Sequence, residues 1–249
     1  ALIKPQALLV APAALAALDR GRVRACLSGL AIVGAALVPF VLAGTLEEAV
    51  THVFRILFQQ RLSAGFANLW WVVGHLVNGS ALSARVEYAA IAALPFPAGL
   101  AGTGLFAAAA AFILSRAAKH ACLAGAALVV AYGILAVGVH ENHPHAMFLA
   151  FAATGLYSRR LRLVVSVLAS SYLLNMLALS GLGRFYGLRY MELEPLAAAI
   201  SSLRMGLGFD LTLLLGLLNT ALFLFFLLSL RSEVASAAGF SYSSARKCE

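Results

Sequence analysis

The run Ala25–Gly44, ACLSGLAIVGAALVPFVLAG, places 20 consecutive residues in the chain without one charged side chain. As a helix, a run of that length covers roughly 30 Å, the thickness of a bilayer's hydrocarbon core. Working outward, the pattern recurs at Ala89–Leu114, Cys122–Val139 and Phe209–Leu230. Leu163–Leu182 is a further run, diluted by Ser166, Ser170, Ser171 and Asn175, a polar stripe expected to face protein or a cavity rather than lipid. Two runs are compromised: Pro144–Tyr157 is short and crosses only if His140–His143 lie inside the outer leaflet or protein supports the helix, and Pro5–Leu18 covers only about 21 Å. Composition agrees, with 62% of the 249 residues apolar and 11% charged, where soluble domains carry about 25% charged residues. So few charges cannot cover a globular surface, but they suffice for the ends and loops of a bundle. The predicted fold is an all-α polytopic membrane helical bundle.

The net charge of +8 points to nucleic acid only in a soluble protein; here the basic residues sit in short clusters between apolar runs, as membrane topology requires. Alternate assignment of loops gives one side eleven basic residues, Arg20, Arg22, Arg24, Arg116, Lys119, Arg159, Arg160 and Arg162 among them. The other side receives six, in longer loops that also hold six of the ten carboxylates. The first side is expected to be cytoplasmic, giving about seven crossings, an outside start and a cytoplasmic C-terminus. The whole chain, 1–249, reads as one transmembrane domain, with outer loops at 45–88 and 181–208 and a tail at 231–249. It begins without Met or a charged leader and is expected to lack an upstream part. Cys26, Cys122 and Cys248 are widely spaced, with no CxxC, so neither a disulfide framework nor a zinc site is indicated.

The polar groups gather on the outer side. Leu46–Leu62 carries apolar residues at helical spacing beside Glu47, Glu48, Arg55 and Arg61, the pattern of an amphipathic helix lying on the membrane face. A second segment, Phe66–Leu76, follows it, with Asn68, Trp70 and Trp71 where interfacial aromatics are expected. The arginines either form a solvated face with an aromatic anchor or clamp a phosphate while an indole stacks on a sugar ring. Lys4 either snorkels or meets a lipid phosphate. Arg184 and Arg189 lie in the second outer loop beside Tyr186 and Tyr190.

Between two crossings lies Val139-His140-Glu141-Asn142-His143-Pro144-His145. A zinc helix needs His at i and i+4, whereas His140 and His143 are three apart and Pro144 interrupts. The segment reads as a hydrated turn or as a phosphate or sugar site, with imidazoles donating to an anion and Glu141 accepting from hydroxyls. No tightly bound metal or other cofactor is expected, and Mg²⁺ or Mn²⁺ at most transiently.

Lys4-Pro5-Gln6, the stretch from Arg55-Ile56-Leu57-Phe58 through Arg61 to Ala67-Asn68-Leu69-Trp70-Trp71, and His140-Glu141-Asn142-His143 together resemble polytopic GT-C glycosyltransferases. The likeness is to bacterial membrane mannosyl- or glucosyltransferase-like proteins and, more distantly, to dolichyl-phosphate-glucose-dependent glucosyltransferases. The latter carry an outer loop ending in Ala-Asn-Phe-Trp and, two crossings later, His-Glu-Lys; Asn142 stands here where that pattern has Lys. The resemblance implies a hexosyltransferase that moves sugar from a polyprenyl-phosphate donor to a glycan, lipid or protein acceptor at the extracytoplasmic face of the plasma or inner membrane. It implies substrate contacts from Lys4, Arg55, Arg61, Asn68, Trp70, Trp71, His140, His143, Arg184 and Arg189. The family's usual acid lies in an upstream outer loop, supplied by an N-terminal catalytic segment or partner chain, and Glu141 is the fallback base within this chain. The alternatives are a noncatalytic membrane subunit or a transporter or flippase for a lipid-linked sugar. One-sided polar groups, with spans nearly free of ionisable residues, favour interfacial chemistry over alternating access.

Overall fold

The structure, a computed structural model, describes residues 11–18, 21–57, 62–63, 66–78, 96–117, 120–139, 159–180 and 211–245. Within them the chain is helical: α1 Ala11–Ala17, α2 Arg22–Leu42, α3 Leu46–Leu57, α4 Leu69–Asn78, α5 Ala98–Ala117, α6 Ala121–Leu135, α7 Arg159–Ser180 and α8 Leu211–Ala245. Three of these, α2, α5 and the Thr212–Leu230 part of α8, are long and apolar enough to cross a membrane. They are compatible with an integral membrane protein. The expected crossing over Pro144–Tyr157 and the loop 181–208 lie outside the described residues.

The boundaries differ from the sequence reading in ways that local chemistry explains. Of the run read from Ala89, the described part is helical from Ala98, immediately after Phe96 and Pro97. Pro97 removes a backbone donor and keeps Phe96 out of the α region. The run expected to reach Val139 stops at Leu135: Ala136 is extended, and Gly138 adopts φ 70°, a left-handed value that disfavours any residue with a Cβ. The expected tail from residue 231 instead continues α8 as helix to Ala245. Of the surface helix expected over Leu46–Leu62, the described stretch Leu46–Leu57 is helical.

α6 is the centre of the bundle. Its residues from Leu123 to Leu135 are buried, Tyr132 partly so, as expected for a helix apolar on every face. Ala124, Ala127, Ala131 and Gly133 let its neighbours approach closely. α1 and α5 pack along it, and α8 packs against α7, α4, α5 and α6. One core joins α5, α6, α7 and α8 through Ile113, Leu128, Leu168, Phe223 and Phe226. α2 contrasts with this, since none of its residues is buried. At its base Arg22 donates from Nε to the Leu18 carbonyl at 2.7 Å and from a terminal nitrogen to the Ala16 carbonyl at 3.2 Å. Those acceptors are the carbonyl of Ala16, in the last turn of α1, and that of Leu18, just past its end, where carbonyls lack intrahelical partners.

Candidate functional site

The segment Phe66-Ala67-Asn68, just ahead of α4, is buried; the Asn68 carbonyl accepts the first helical bond of α4 from the Val72 N–H at 3.3 Å, but the Ala67 peptide groups lie outside the helix, and a protein interior tolerates such groups only when other groups satisfy them. Two asparagines from different helices do so. Asn175 of α7 accepts from the Ala67 N–H at 2.8 Å, and Asn219 of α8 donates to the Ala67 carbonyl at 2.7 Å. Along α8, Asn219 lies about 10 Å past Thr212, well inside the apolar span. Ser63 closes the turn by donating to the Phe66 carbonyl at 2.6 Å. Phe66 itself packs on Tyr172, with ring centroids 5.8 Å apart.

Asn68 then works at two helix ends. Its Oδ1 accepts from the Trp71 N–H at 3.0 Å, the N-cap bond to the third residue of α4. Its Nδ2 donates to the carbonyls of Gly133 at 3.2 Å and Ala136 at 3.4 Å, at the C-terminus of α6. Trp70 adds its indole N–H to the Leu135 carbonyl at 2.7 Å. The physical reason is the length of α6: fifteen residues cover about 22 Å, short of a hydrocarbon core. Its last carbonyls therefore end inside the protein, and the motif before and within α4 supplies their donors. Backbone completes the joint, the Gly138 N–H donating to the Leu62 carbonyl at 3.1 Å.

Trp71 donates its indole N–H to Thr212 Oγ1 at 2.9 Å, fixing α4 to the start of α8. His75, also buried, stands one turn on with Nδ1 3.0 Å from the Trp71 carbonyl, an acceptor that requires the proton on Nδ1. Two glycines make room for this packing. A Cβ at Gly102 of α5 would lie 2.7 Å from Val137 Cγ2 and 3.3 Å from Trp70 Cζ2. One at Gly216 of α8 would lie 2.9 Å from Val72 Cγ2 and 3.3 Å from the Asn68 carbonyl.

Trp70 and Trp71, read from the sequence as interfacial aromatics with an indole available to a sugar ring, lie inside the protein. Trp70 is 2% exposed and Trp71 fully buried, and both indole N–H groups are spent on protein acceptors. Asn68 is likewise fully buried and engaged at both ends of its amide. The polar stripe of α7 divides: Ser171 and Asn175 face the interior, while Ser166 and Ser170 are exposed. The Ser171 hydroxyl is buried and has no partner among the described residues.

Sequence reasoning passed over Asn219, although a lone amide in an apolar span is a signal for an internal partner. Lys4, Arg61, His140, Glu141, His143, Arg184 and Arg189 lie outside the described residues, as does the side chain of Arg55 on α3. Among the described residues no group of three His, Cys, Asp or Glu side chains is placed to hold a metal. Compared with protein-family models, curated proteins and solved structures, the chain finds no match.

Proposed function

We propose that the chain forms the membrane part of a GT-C-like glycosyltransferase that moves a sugar from a polyprenyl-phosphate donor to an acceptor on the extracytoplasmic face. The observation that supports this most is the bond between the Gly138 N–H and the Leu62 carbonyl. Leu62 follows Arg61 directly and Gly138 precedes His140 by two residues, so the two polar stretches carrying the resemblance start from one fixed point. In this reading the bundle has about seven crossings, its C-terminus is cytoplasmic, and α3 lies on the outer membrane face as an amphipathic helix.

The reaction is a direct displacement. The acceptor hydroxyl oxygen bonds to the anomeric carbon as the bond from that carbon to the lipid phosphate oxygen breaks, and the hydroxyl proton passes to a carboxylate. Glu141 is that base within this chain. Lys4, Arg55, Arg61, His140 and His143 stabilise the departing phosphate, and Arg184 and Arg189 bind donor or acceptor from the second outer loop. Asn68, Trp70 and Trp71 serve from inside the protein, as supports rather than as contacts with sugar. No tightly bound metal is assigned.

A transporter is the second reading, favoured by the meeting of the α6 C-terminus with the α4 N-terminus inside the protein, an arrangement that transporters use for binding sites. Here the asparagine amides and indole N–H groups at the meeting point are engaged with protein, which favours a static joint. Transfer from radiolabelled polyprenyl-phosphate mannose and glucose in proteoliposomes decides between the two. The enzyme reading expects transfer that is lost in His140→Ala and Arg61→Ala; lipid movement across the bilayer without transfer overturns it.

A further inference from the structure

We propose that Asn68 and Trp70 are positioning residues that set where the His140-Glu141-Asn142-His143 stretch leaves α6 relative to the stretch arriving through Arg61. The inference rests on the reading of those stretches as the reacting site, but its geometry stands independently. Asn68 is the shared component: one amide caps the N-terminus of α4 and holds two carbonyls at the C-terminus of α6. Trp70, in the first turn of α4, holds a third carbonyl of the same α6 end. Leu62 and Gly138 are joined across the same place. Because buried polar groups keep their partners, the start of α4, the approach through Leu62 and the exit through Gly138 move together. The Ala67 clamp by Asn175 and Asn219 ties this unit to α7 and α8 but does not touch the end of α6. The two sets of bonds are therefore separable: one anchors the loop, the other sets the exit of α6.

The test is cross-linking in the full chain with Cys26, Cys122 and Cys248 replaced by Ser, carrying Arg61→Cys and His140→Cys. Arg61 is one chain step from Leu62 and His140 two from Gly138, roughly 11 Å of extended chain, to which the hydrogen-bonded Leu62–Gly138 pair adds about 5 Å. A bifunctional maleimide of that span is expected to join them in high yield, read by mass spectrometry of the linked peptides. Asn68→Ala and Trp70→Phe, the second nearly preserving volume, are expected to lower the yield several-fold. Asn219→Ala is expected to lower the unfolding temperature yet keep the cross-link, which separates positioning from general loss of stability.

An absent cross-link in the parent overturns the proposal, as does a full yield in both Asn68→Ala and Trp70→Phe or an equal loss in Asn219→Ala. The readout involves no sugar transfer. Transfer is assayed separately in the chain that keeps Arg61 and His140: no transfer by that chain, with the cross-link still formed in the cysteine pair, overturns the glycosyltransferase reading and leaves the joint standing.

Discussion

Removing the Asn68 carboxamide leaves the Trp71 N–H and the Gly133 and Ala136 carbonyls without that partner. Interhelical hydrogen bonds in membrane proteins average about 0.6 kcal/mol and reach about 1.7, and an N-cap contributes about 1 kcal/mol. Asn68→Ala is therefore expected to cost about 2–4 kcal/mol, measured by unfolding in mixed micelles, and Asn68→Ser to recover about 1 by keeping the cap. Single-bond losses should be smaller and unequal. Trp70→Phe is expected to destabilise more than Trp71→Phe. The Leu135 carbonyl has no intrahelical donor to fall back on, whereas the Thr212 hydroxyl can rotate to another acceptor. An Asn just ahead of an apolar helix is a readable N-cap signal, so this role was legible at Asn68. The tryptophans were not, because an aromatic pair next to polar loops is the pattern of both an interfacial belt and a buried anchor, and only the fold chooses.

At the scale of elements, α4 is held between α5 and α8 by the absence of side chains at Gly102 and Gly216. Gly102→Ala and Gly216→Ala are each expected to cost about 1–3 kcal/mol by overpacking, measured by the same unfolding assay. Val137→Ala should relieve the first and Val72→Ala the second, in part only, because backbone oxygens stand 3.2 and 3.3 Å away. The positions of α2, α5, α7 and α8 were legible from apolar runs, since crossing a bilayer demands length and hydrophobicity together. The short α6 was not read as short. Its apolar residues run on to Val139, and only Gly138 and the extended Ala136 mark the stop. Asn175 was legible as an inward group from its place in a polar stripe. Its partner, the Ala67 peptide, lies 108 residues earlier in the chain, a pairing that helical periodicity does not encode.

For the whole molecule, the charge distribution predicts an orientation and the joint predicts a rigid centre. A fluorescent protein fused after Glu249 is expected to fluoresce in cells and alkaline phosphatase fused there to be inactive, the outcome of a cytoplasmic C-terminus. The reverse pair of results contradicts the topology. The central claim is that the Asn68–Trp71 motif is a closed internal joint binding four helices, and the chain carries its own probe. Its two tryptophans, Trp70 and Trp71, both belong to that joint. Intrinsic tryptophan emission of the protein in nanodiscs, titrated with iodide and acrylamide, is therefore the measurement to make. A closed joint predicts blue-shifted emission resistant to both quenchers, and a red shift with ready quenching in Asn68→Ala. Red-shifted, readily quenched emission from the unaltered protein would contradict it.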